Sequence, residues 1–288
     1  MLSPCDYQLL DFGNGRKLEQ YGPLLIDRPA TSADHHSLQH PQRWSQADLR
    51  FERQQEQQGR WSSPAGSHDI DKPWLMPHGE LQFELRLTPV GQIGIFPEQA
   101  RNWDWLQQVL PRASRPLSVL NLFAYTGGST LAAAQAGAEV VHVDAAANVV
   151  KWARKNAALS NMADYPIRWI TEDARLFVAR ELKRGNQYDA VILDPPSYGH
   201  GPRSQAWKIQ HHLPALLQQC AELTNGRRAA VLVSCHTSSI APAELEALVA
   251  ESFIGHCQGG VESEPLAIQT DDGRSLPSGI ACRWPARS

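Results

Sequence analysis

The sequence lacks the features that mark membrane, secreted or zinc-binding proteins. No run of about 18 apolar residues occurs, so no transmembrane span is expected. The first residues, MLSPCDYQLLDFGNG, lack a basic start followed by an apolar stretch, which argues against a secretory signal. The five cysteines form no C-x-x-C pair, which argues against both a zinc site and a disulfide framework. We therefore expect a cytoplasmic protein without a metal ion.

An excess of positive charge is also absent. The chain carries 27 Lys and Arg against 30 Asp and Glu, for a formal net charge of −3. A nucleic-acid partner would therefore have to be held by a local basic patch. What the chain does have is length and apolar content, with 288 residues of which 42% are hydrophobic. This is enough for two domains with real cores, and gives no indication of the oligomeric state.

The two parts of the chain differ in composition and in the pattern of their hydrophobic residues. Residues 1–97 are rich in Trp, Gln, Pro and His and have short hydrophobic runs, which predicts a small β-rich module. Within it, residues 81–87 alternate apolar and polar side chains, the period of a half-buried strand. The Gln-rich stretch has no sustained period, and we interpret it as irregular with one short helix near residues 46–57. Residues 98–288 form the second predicted domain.

The second domain shows a regular alternation of short apolar strands and helices of 10–15 residues. This pattern predicts a doubly wound, mostly parallel α/β sheet with helices on both faces. The predicted strands are 118–123, 139–145, 167–170, 188–194 and 228–235, and later predicted helices are 147–160, 173–184, 206–223 and 243–252. Two further strands, 264–269 and 278–284, have no helix between them and should form a hairpin that closes the sheet edge.

Two of the predicted strand ends carry the residues of a nucleoside site. The strand that ends at Phe123 runs into the turn AYTGGS, where Gly127 lets the backbone approach a ligand. The next strand ends in Asp144, which can accept hydrogen bonds from two ribose hydroxyls. Asp173 follows the third strand, where it can meet an adenine amine or simply cap the following helix. Because the spaced glycines of a dinucleotide site are missing, S-adenosylmethionine (SAM) is the favoured ligand over NAD.

A third strand end carries the sequence DPPSYG. Pro195 and Pro196 restrict the backbone and remove two N–H donors, which makes a rigid turn. Such a turn can present Asp194 to a substrate amine or ring, and Tyr198 could stack on a flat base. These four residues are therefore the candidate acceptor site.

The set NLFAYTGG, VDA, EDA and DPPSYG resembles class I SAM-dependent methyltransferases, and more narrowly the bacterial large-subunit rRNA methyltransferases. The resemblance covers residues 96–284, and the leading module resembles a small β-rich part of such enzymes, which implies a role in holding RNA. It implies a SAM cofactor and an RNA substrate. The implied site residues are Phe96 and Gln99 near the cofactor, Phe123, Tyr125, Thr126 and Gly127 at its methionine end, Asp144 at the ribose, Asp173 at the adenine, and Asp194 between cofactor and substrate.

The strand that ends LVSCH raises the question of which atom is methylated. Cytosine-5 methylation requires a thiolate that adds to ring carbon six, with a nearby acid to assist. The cytosine-5 branch of the family has Ser-Cys-Ser here, so Cys235 could be the nucleophile and Asp194 its partner. His236 departs from that pattern, and cysteine is also a common buried residue. Methylation of an amine or ring nitrogen would need only the Asp194 turn.

Other interpretations remain open. Net negative charge favours a methyltransferase acting on a small molecule or protein, and the fold could also serve a non-catalytic binding module. Arg203, Lys208, His211 and His212 could contact phosphate or base, although paired histidines more often lie on a solvated helix face. The pairs HH and DHH (residues 34–36) lack further ligands at metal-binding spacing.

Overall fold

The computed structural model describes residues 7–55, 58–64, 66, 68–112, 115–200, 206–237, 239–253 and 260–285. The chain forms two compact units. Unit 1 consists of residues 1–100 with 267–278, and unit 2 of residues 101–266 with 279–288. The predicted boundary after residue 97 lies close to this division, but the sequence did not indicate that residues 267–278 belong with the first unit.

Unit 1 is β-rich. Its main sheet has five strands in the order β1-β2-β3-β4-β5, antiparallel except where β3 and β4 run parallel. Its elements are β1 Tyr7–Gly13, β2 Arg16–Tyr21, β3 Leu24–Pro29, α1 Pro41–Trp44, β4 Leu49–Gln55, β5 Gln58–Ser62, β6 Trp74–His78 and β7 Leu81–Leu85. The last two pair as a separate hairpin, and β7 confirms the strand predicted from alternation.

The helix predicted near residues 46–57 is wrong, because most of that stretch is β4. Leu49 and Phe51 are buried with Arg50 between them only partly so, which is the period of a strand. The segment is bonded on both sides, to β3 and to β5. A polar composition therefore hid a strand with only two inward side chains.

Unit 1 encloses an ionic network around Glu19, which has no exposed surface. Arg28 Nε donates to Glu19 Oε2 at 2.5 Å, and the hydroxyls of Tyr7 and Tyr21 donate to Oε1 at 3.0 Å. Burial alone would raise the pKa of Glu19, but Arg28 and Lys17 outweigh it and lower the pKa to about 2. This acid is satisfied by the cations and hydroxyls of its own unit.

Residues from the far end of the chain complete unit 1. Arg274 Nη2 donates to Asp11 Oδ1 at 2.7 Å, and its guanidinium carbon lies 4.7 Å from the centre of the Phe12 ring. Thr270 forms an isolated bridge with Leu9. The segment 267–278 is thus bound to the first strand of the chain.

Unit 2 contains the predicted doubly wound sheet. Its seven strands have the order β10-β9-β8-β11-β14-β16-β15, in which the first five are parallel and β16 runs antiparallel to β14. The elements that lie wholly or mainly in unit 2 are α2 Ala100–Val109, β8 Ser118–Leu122, α3 Gly128–Gln135, β9 Glu139–Asp144, α4 Ala147–Leu159, β10 Ile167–Thr171, α5 Ala174–Lys183, β11 Ala190–Leu193, β12 Tyr198–His200, β13 Ala206–Lys208, α6 Ile209–Leu223, β14 Ala230–Cys235, α7 Pro242–Phe253, β15 Glu262–Gln269 and β16 Ser275–Trp284.

The central strands form the core because both of their faces are covered. Every residue of β11 and of β14 is buried, as expected when helices pack on each side of a parallel sheet. One predicted boundary shifts: the helix expected from residue 206 begins at Ile209. Residues 206–208 instead pair with residues 198–200 as a short antiparallel hairpin, β12 with β13. This hairpin follows the DPPSYG turn directly.

Candidate active site

The predicted site residues of unit 2 lie at the carboxyl ends of five neighbouring strands. Following the sheet order from β10 to β14, these are Asp173, Asp144, Phe123, Asp194 and Cys235. The chain moves outward from β8 in one direction through β9 and β10, and in the other through β11 and β14. The sheet therefore has its switch point beside β8, where open α/β sheets bind their ligands.

The turn after β8 has an unusual backbone. Phe123 and Tyr125 have φ of +55° and +49°, and Gly127, which caps α3, has φ of +93°. Positive φ is readily adopted by glycine but costs energy in other residues, and such strain clusters at binding sites. Two strained non-glycine residues within three positions mark this turn as a candidate ligand cradle.

Close packing holds this turn in place. A Cβ on Gly128 would lie 2.4 Å from the Trp103 ring, so only glycine fits there. The carbonyl oxygen of Thr126 accepts a hydrogen bond from Asn156 Nδ2 at 3.0 Å. The side chain of Thr126 is buried, so this residue shapes the turn from beneath.

The hydrogen bonds that hold the Asp144 carboxylate come from backbone N–H groups. The N–H of Tyr125 donates to Oδ2 at 2.9 Å, and the N–H of Ala146 donates to Oδ1 at 3.0 Å. Burial raises the pKa of Asp144, although the backbone N–H groups oppose this effect. A carboxylate has about four acceptor directions. Asp144 therefore retains acceptor capacity for hydroxyl groups such as those of a ribose.

Asp173 acts as the N-cap of α5. Its Oδ1 accepts hydrogen bonds from the backbone N–H groups of Arg175 at 2.9 Å and Leu176 at 3.3 Å. Its Oδ2 lies 3.2 Å from Nη2 of Arg175. The structure thus shows the capping role, and the contact with an adenine amine stays a prediction.

Asp194 is bound by two side chains from the end of β14. The Ser234 hydroxyl donates to Asp194 Oδ1 at 2.7 Å, and Nε2 of His236 lies 3.1 Å from the same oxygen. The side chains of Asp194 and His236 are 28% and 32% exposed. Sequence reasoning missed both partners. The available signal was a polar residue on each side of Cys235, since side chains that alternate along a strand share a face.

Cys235 lies on the other face of β14. It has no exposed surface and belongs to the main core cluster with Leu193, Leu245 and Cys220. Burial is the largest influence on its thiol and raises the pKa of Cys235. The partners that the sequence analysis sought for Asp194 are therefore Ser234 and His236. This geometry favours the core alternative for Cys235, and its role as a nucleophile stays a hypothesis.

The DPPSYG turn rests on a tryptophan. Pro195 is buried, whereas Pro196 is exposed and Tyr198 is 45% exposed. Trp207 Nε1 donates to the carbonyl oxygen of Pro196 at 2.6 Å, and the Trp207 ring lies 4.8 Å from that of Phe123. Trp207 thereby joins the acceptor turn to the β8 turn. The sequence analysis missed it because it placed residue 207 in a helix.

The remaining candidates are less closely tied to the site. His212 stacks on Trp207 at 5.5 Å and its Nδ1 contacts the backbone of Lys208, while Lys208 and His211 are exposed. Arg203, Cys5 and Cys257 lie outside the described residues. Phe96 and Gln99 flank a short 3-10 turn of unit 1, where Gln99 is buried and its N–H donates to the Phe96 carbonyl. Their contact with a cofactor stays a prediction.

In the described ranges, no group of three or more His, Cys, Asp or Glu side chains is placed to hold a metal ion. None of the helices in the described part of the chain has the length and apolar character needed to cross a bilayer.

The fold and the acids at its carboxyl edge define a nucleoside-binding α/β enzyme. A family model described as S-adenosylmethionine-dependent methyltransferase matches residues 16–244. This match covers most of the chain, and the protein belongs to that family. The chemistry of the site residues is compatible with this family: Asp144 can accept hydrogen bonds from hydroxyls, Asp173 can accept one from an amine, and the strained turn leaves room for a close backbone approach. These residues fit SAM as the cofactor.

Known relatives agree with this family. A crystal structure of a SAM-dependent methyltransferase from Agrobacterium tumefaciens is 37% identical, with a TM-score of 0.91 over 97% of this chain and 90% of that one. A ribosomal RNA large subunit methyltransferase K/L from Pseudoalteromonas atlantica is 33% identical over 49% of this chain and 19% of that protein. A putative ribosomal RNA large subunit methyltransferase from Methanocaldococcus jannaschii is 30% identical over 62% of this chain and 45% of that protein. The chain thus spans 19% of the length of the first of these curated relatives and 45% of the length of the second.

Proposed function

We propose that this SAM-dependent methyltransferase acts on a base in RNA, with ribosomal RNA as the favoured substrate. The observation that carries the proposal is the placement of the DPPSYG turn after β11, next to the strained turn after β8 and at the same sheet edge as Asp144 and Asp173. The names of the curated relatives support an RNA substrate. A cytoplasmic location would follow from such a substrate.

The cofactor half of the site would be filled as follows. Asp144 accepts the ribose hydroxyls, Asp173 accepts the adenine amine, and the backbone at Tyr125 and Gly127 receives the methionine end. Phe123 and Thr126 shape that end, and Phe96 and Gln99 add contacts that the family resemblance implies. When bound, SAM supplies an electrophilic methyl group. The chain's own task is then to orient the acceptor and to exclude water.

The acceptor half of the site would bind a flat base by stacking and hydrogen bonding. Tyr198 has nearly half of its surface exposed and can stack on a base taken out of its helix. Pro195 and Pro196 keep the turn rigid, so Asp194 is presented at a fixed position. Its carboxylate can accept a hydrogen bond from an N–H of the acceptor.

Two observations favour a nitrogen acceptor over carbon five of cytosine. Cys235 is buried with a raised thiol pKa, so a thiolate is disfavoured. Asp194 Oδ1 accepts from Ser234 and lies against His236, and a carboxylate at this position can accept a hydrogen bond from an N–H of the acceptor. Cytosine-5 methylation is the second candidate, because Cys235 is still adjacent to the site residue His236. The net charge of −3 keeps small-molecule and protein acceptors as further alternatives.

The test supplies SAM with a labelled methyl group and RNA from cells that lack the protein, then identifies the labelled nucleoside. We expect an N-methylated nucleoside, with activity retained in Cys235→Ala to the same degree as in Cys220→Ala, a matched core cysteine. Labelled 5-methylcytidine that disappears only in Cys235→Ala would establish the cytosine-5 alternative. Unlabelled RNA, with S-adenosylhomocysteine (SAH) binding intact, would redirect the search to proteins and small molecules.

A further inference from the structure

His236 occupies a position where the cytosine-5 branch of the family has serine. It follows β14 directly, and its Nε2 lies 3.1 Å from Asp194 Oδ1. A neutral imidazole with this contact donates its Nε2–H to the carboxylate, and a protonated one does the same with added charge. The contact therefore binds the imidazole to the acid of the acceptor turn in either state.

The neighbouring strand is shaped to accept this imidazole. Gly279 of β16 has φ of +140°, and a Cβ there would lie 2.9 Å from His236 Nδ1 and 2.7 Å from the Cys235 carbonyl oxygen. The pairing of Cys235 with Ile280 places Gly279 at this point of the ladder. A side chain at position 279 would displace the imidazole from Asp194. The backbones of β14 and β16 thus both fix His236.

We propose that His236 is a positioning residue, which together with Ser234 fixes the orientation of the Asp194 carboxylate before the acceptor arrives. The terminal torsion of an aspartate is soft, so a single hydrogen bond leaves the carboxylate plane poorly defined. Two donors on Oδ1, from residues on either side of Cys235, define it. A charge fixed in advance stabilises a reacting group without the cost of reorganisation.

The inference rests on the proposed function only in requiring that Asp194 faces the acceptor. It also accounts for the Ser-Cys-His sequence: the outer two residues act on Asp194, whereas the central cysteine packs in the core. His236 need not touch the acceptor, and its effect passes through Asp194.

The first test needs no acceptor. Crystal structures with SAH would be compared for the wild type, His236→Ala and His236→Gln. A glutamine can place its amide N–H about where Nε2 lies, whereas alanine cannot. We expect one Asp194 rotamer in the wild type and in the glutamine variant, and a different or divided rotamer in the alanine variant. An unchanged Asp194 in His236→Ala would overturn the inference.

The second test measures how the effect is transmitted. We expect His236→Ala to lower kcat about 10-fold to 30-fold, with KM and the Kd for SAH within about twofold, and His236→Gln to restore most of kcat. The double variant with Asp194→Ala should be no slower than Asp194→Ala alone, because both remove one interaction. His35→Gln, an exposed histidine of unit 1, is the control. Additive losses would overturn the inference. If the wild type methylates no RNA, the proposed function fails, and the rotamer comparison still decides the role of His236.

Discussion

A single strand, β11, separates two acids with opposite surroundings. Asp189 precedes its amino end and Asp194 follows its carboxyl end. Asp189 has no exposed surface and is bound by the guanidinium groups of Arg115 and Arg227 and by the N–H of Ser118 at 2.8 Å. Burial would raise the pKa of Asp189, but these donors lower it to about 2.

At the carboxyl edge, Asp144 and Asp194 have other kinds of hydrogen-bond partner. Asp144 accepts its hydrogen bonds from neutral backbone N–H groups, and burial leaves its pKa raised. Asp194 is partly exposed and is held by a hydroxyl and an imidazole. Of these three acids, Asp189 is neutralised by two arginines and serves the architecture, whereas Asp144 and Asp194, held by N–H, hydroxyl and imidazole groups, are the ones proposed to meet a ligand. Three predictions test this distinction, and a fourth tests the link between the two turns of the carboxyl edge.

The largest expected effect is on stability at the amino edge. Asp189→Ala should lower the free energy of unfolding by about 3 kcal/mol, because it leaves the partly buried N–H of Ser118 without its acceptor and separates two arginines from their buried partner. Chemical denaturation monitored by circular dichroism would measure the loss. The protein that remains folded should bind SAH like the wild type.

The control for that prediction is an exposed ion pair of the same unit. Glu172 pairs with Arg180, and the two side chains are 23% and 40% exposed. Glu172→Ala should cost at most about 1 kcal/mol, as is usual for surface pairs. Equal losses at the two positions would contradict the architectural role of Asp189.

A substitution at the carboxyl edge should show the reverse result, a loss of SAH affinity with little loss of stability. Asp144→Asn should raise the Kd for SAH about 30-fold, or about 2 kcal/mol, because an amide cannot accept from two hydroxyls while it meets two backbone donors. Its melting temperature should stay within about 3 °C of the wild type, since the charged form is disfavoured in the empty protein. Titration calorimetry and thermal melts would measure both. A large loss of stability with unchanged affinity would remove the contrast between the two edges.

Lowering the pH should weaken SAH binding through Asp144 at the carboxyl edge before it removes the stability that Asp189 provides at the amino edge. The raised pKa of Asp144 means that it takes up a proton at a higher pH than an ordinary aspartate, so SAH affinity should fall about tenfold per pH unit below that point. The lowered pKa of Asp189 stabilises the fold above its ordinary value of 3.8, and that stability is lost only as the pH falls toward 2. Calorimetry from neutral pH down to 3.8, the ordinary aspartate value, should show weakening affinity in a folded protein. Asp144→Asn should show a flat profile, and a flat wild-type profile would rule the assignment out.

The smallest expected effect concerns the link between the two turns. Trp207→Phe keeps an aromatic ring against Phe123 but removes the hydrogen bond to Pro196. We expect kcat to fall about fivefold, close to the value of one neutral hydrogen bond, with the Kd for SAH unchanged. Steady-state kinetics on the labelled-methyl assay would measure it, with Trp61→Phe in unit 1 as the matched control. A loss of SAH affinity instead would assign Trp207 to the cofactor half.

Much of the carboxyl edge could be predicted from the sequence. Apolar strands that run into glycine, acid or proline turns define where parallel strands end, so Asp144 and Asp194 were placed before the fold was known. The start of α5 was predicted from Asp173, whose capping chemistry is local. Signals that depend on neighbours within a few positions were sufficient for these features.

The missed features depend on distant neighbours. Ser234 and His236 meet Asp194 only because β14 lies beside β11, a choice that periodicity does not encode. The burial of Cys235 depends on which residues cover that face of β14. The hairpin of β12 and β13 has strands of three residues, too short to show a period. In β4, two inward side chains among glutamines gave too weak a pattern.

The bond between Arg274 and Asp11 has a consequence for how the molecule is made. A ribosome completes the five parallel strands of unit 2 by residue 235, whereas unit 1 must wait for residue 274. Domains usually fold in the order in which they are synthesised. Here the module that emerges first cannot close when it emerges, because β1 must wait almost 40 residues beyond the end of the fifth parallel strand.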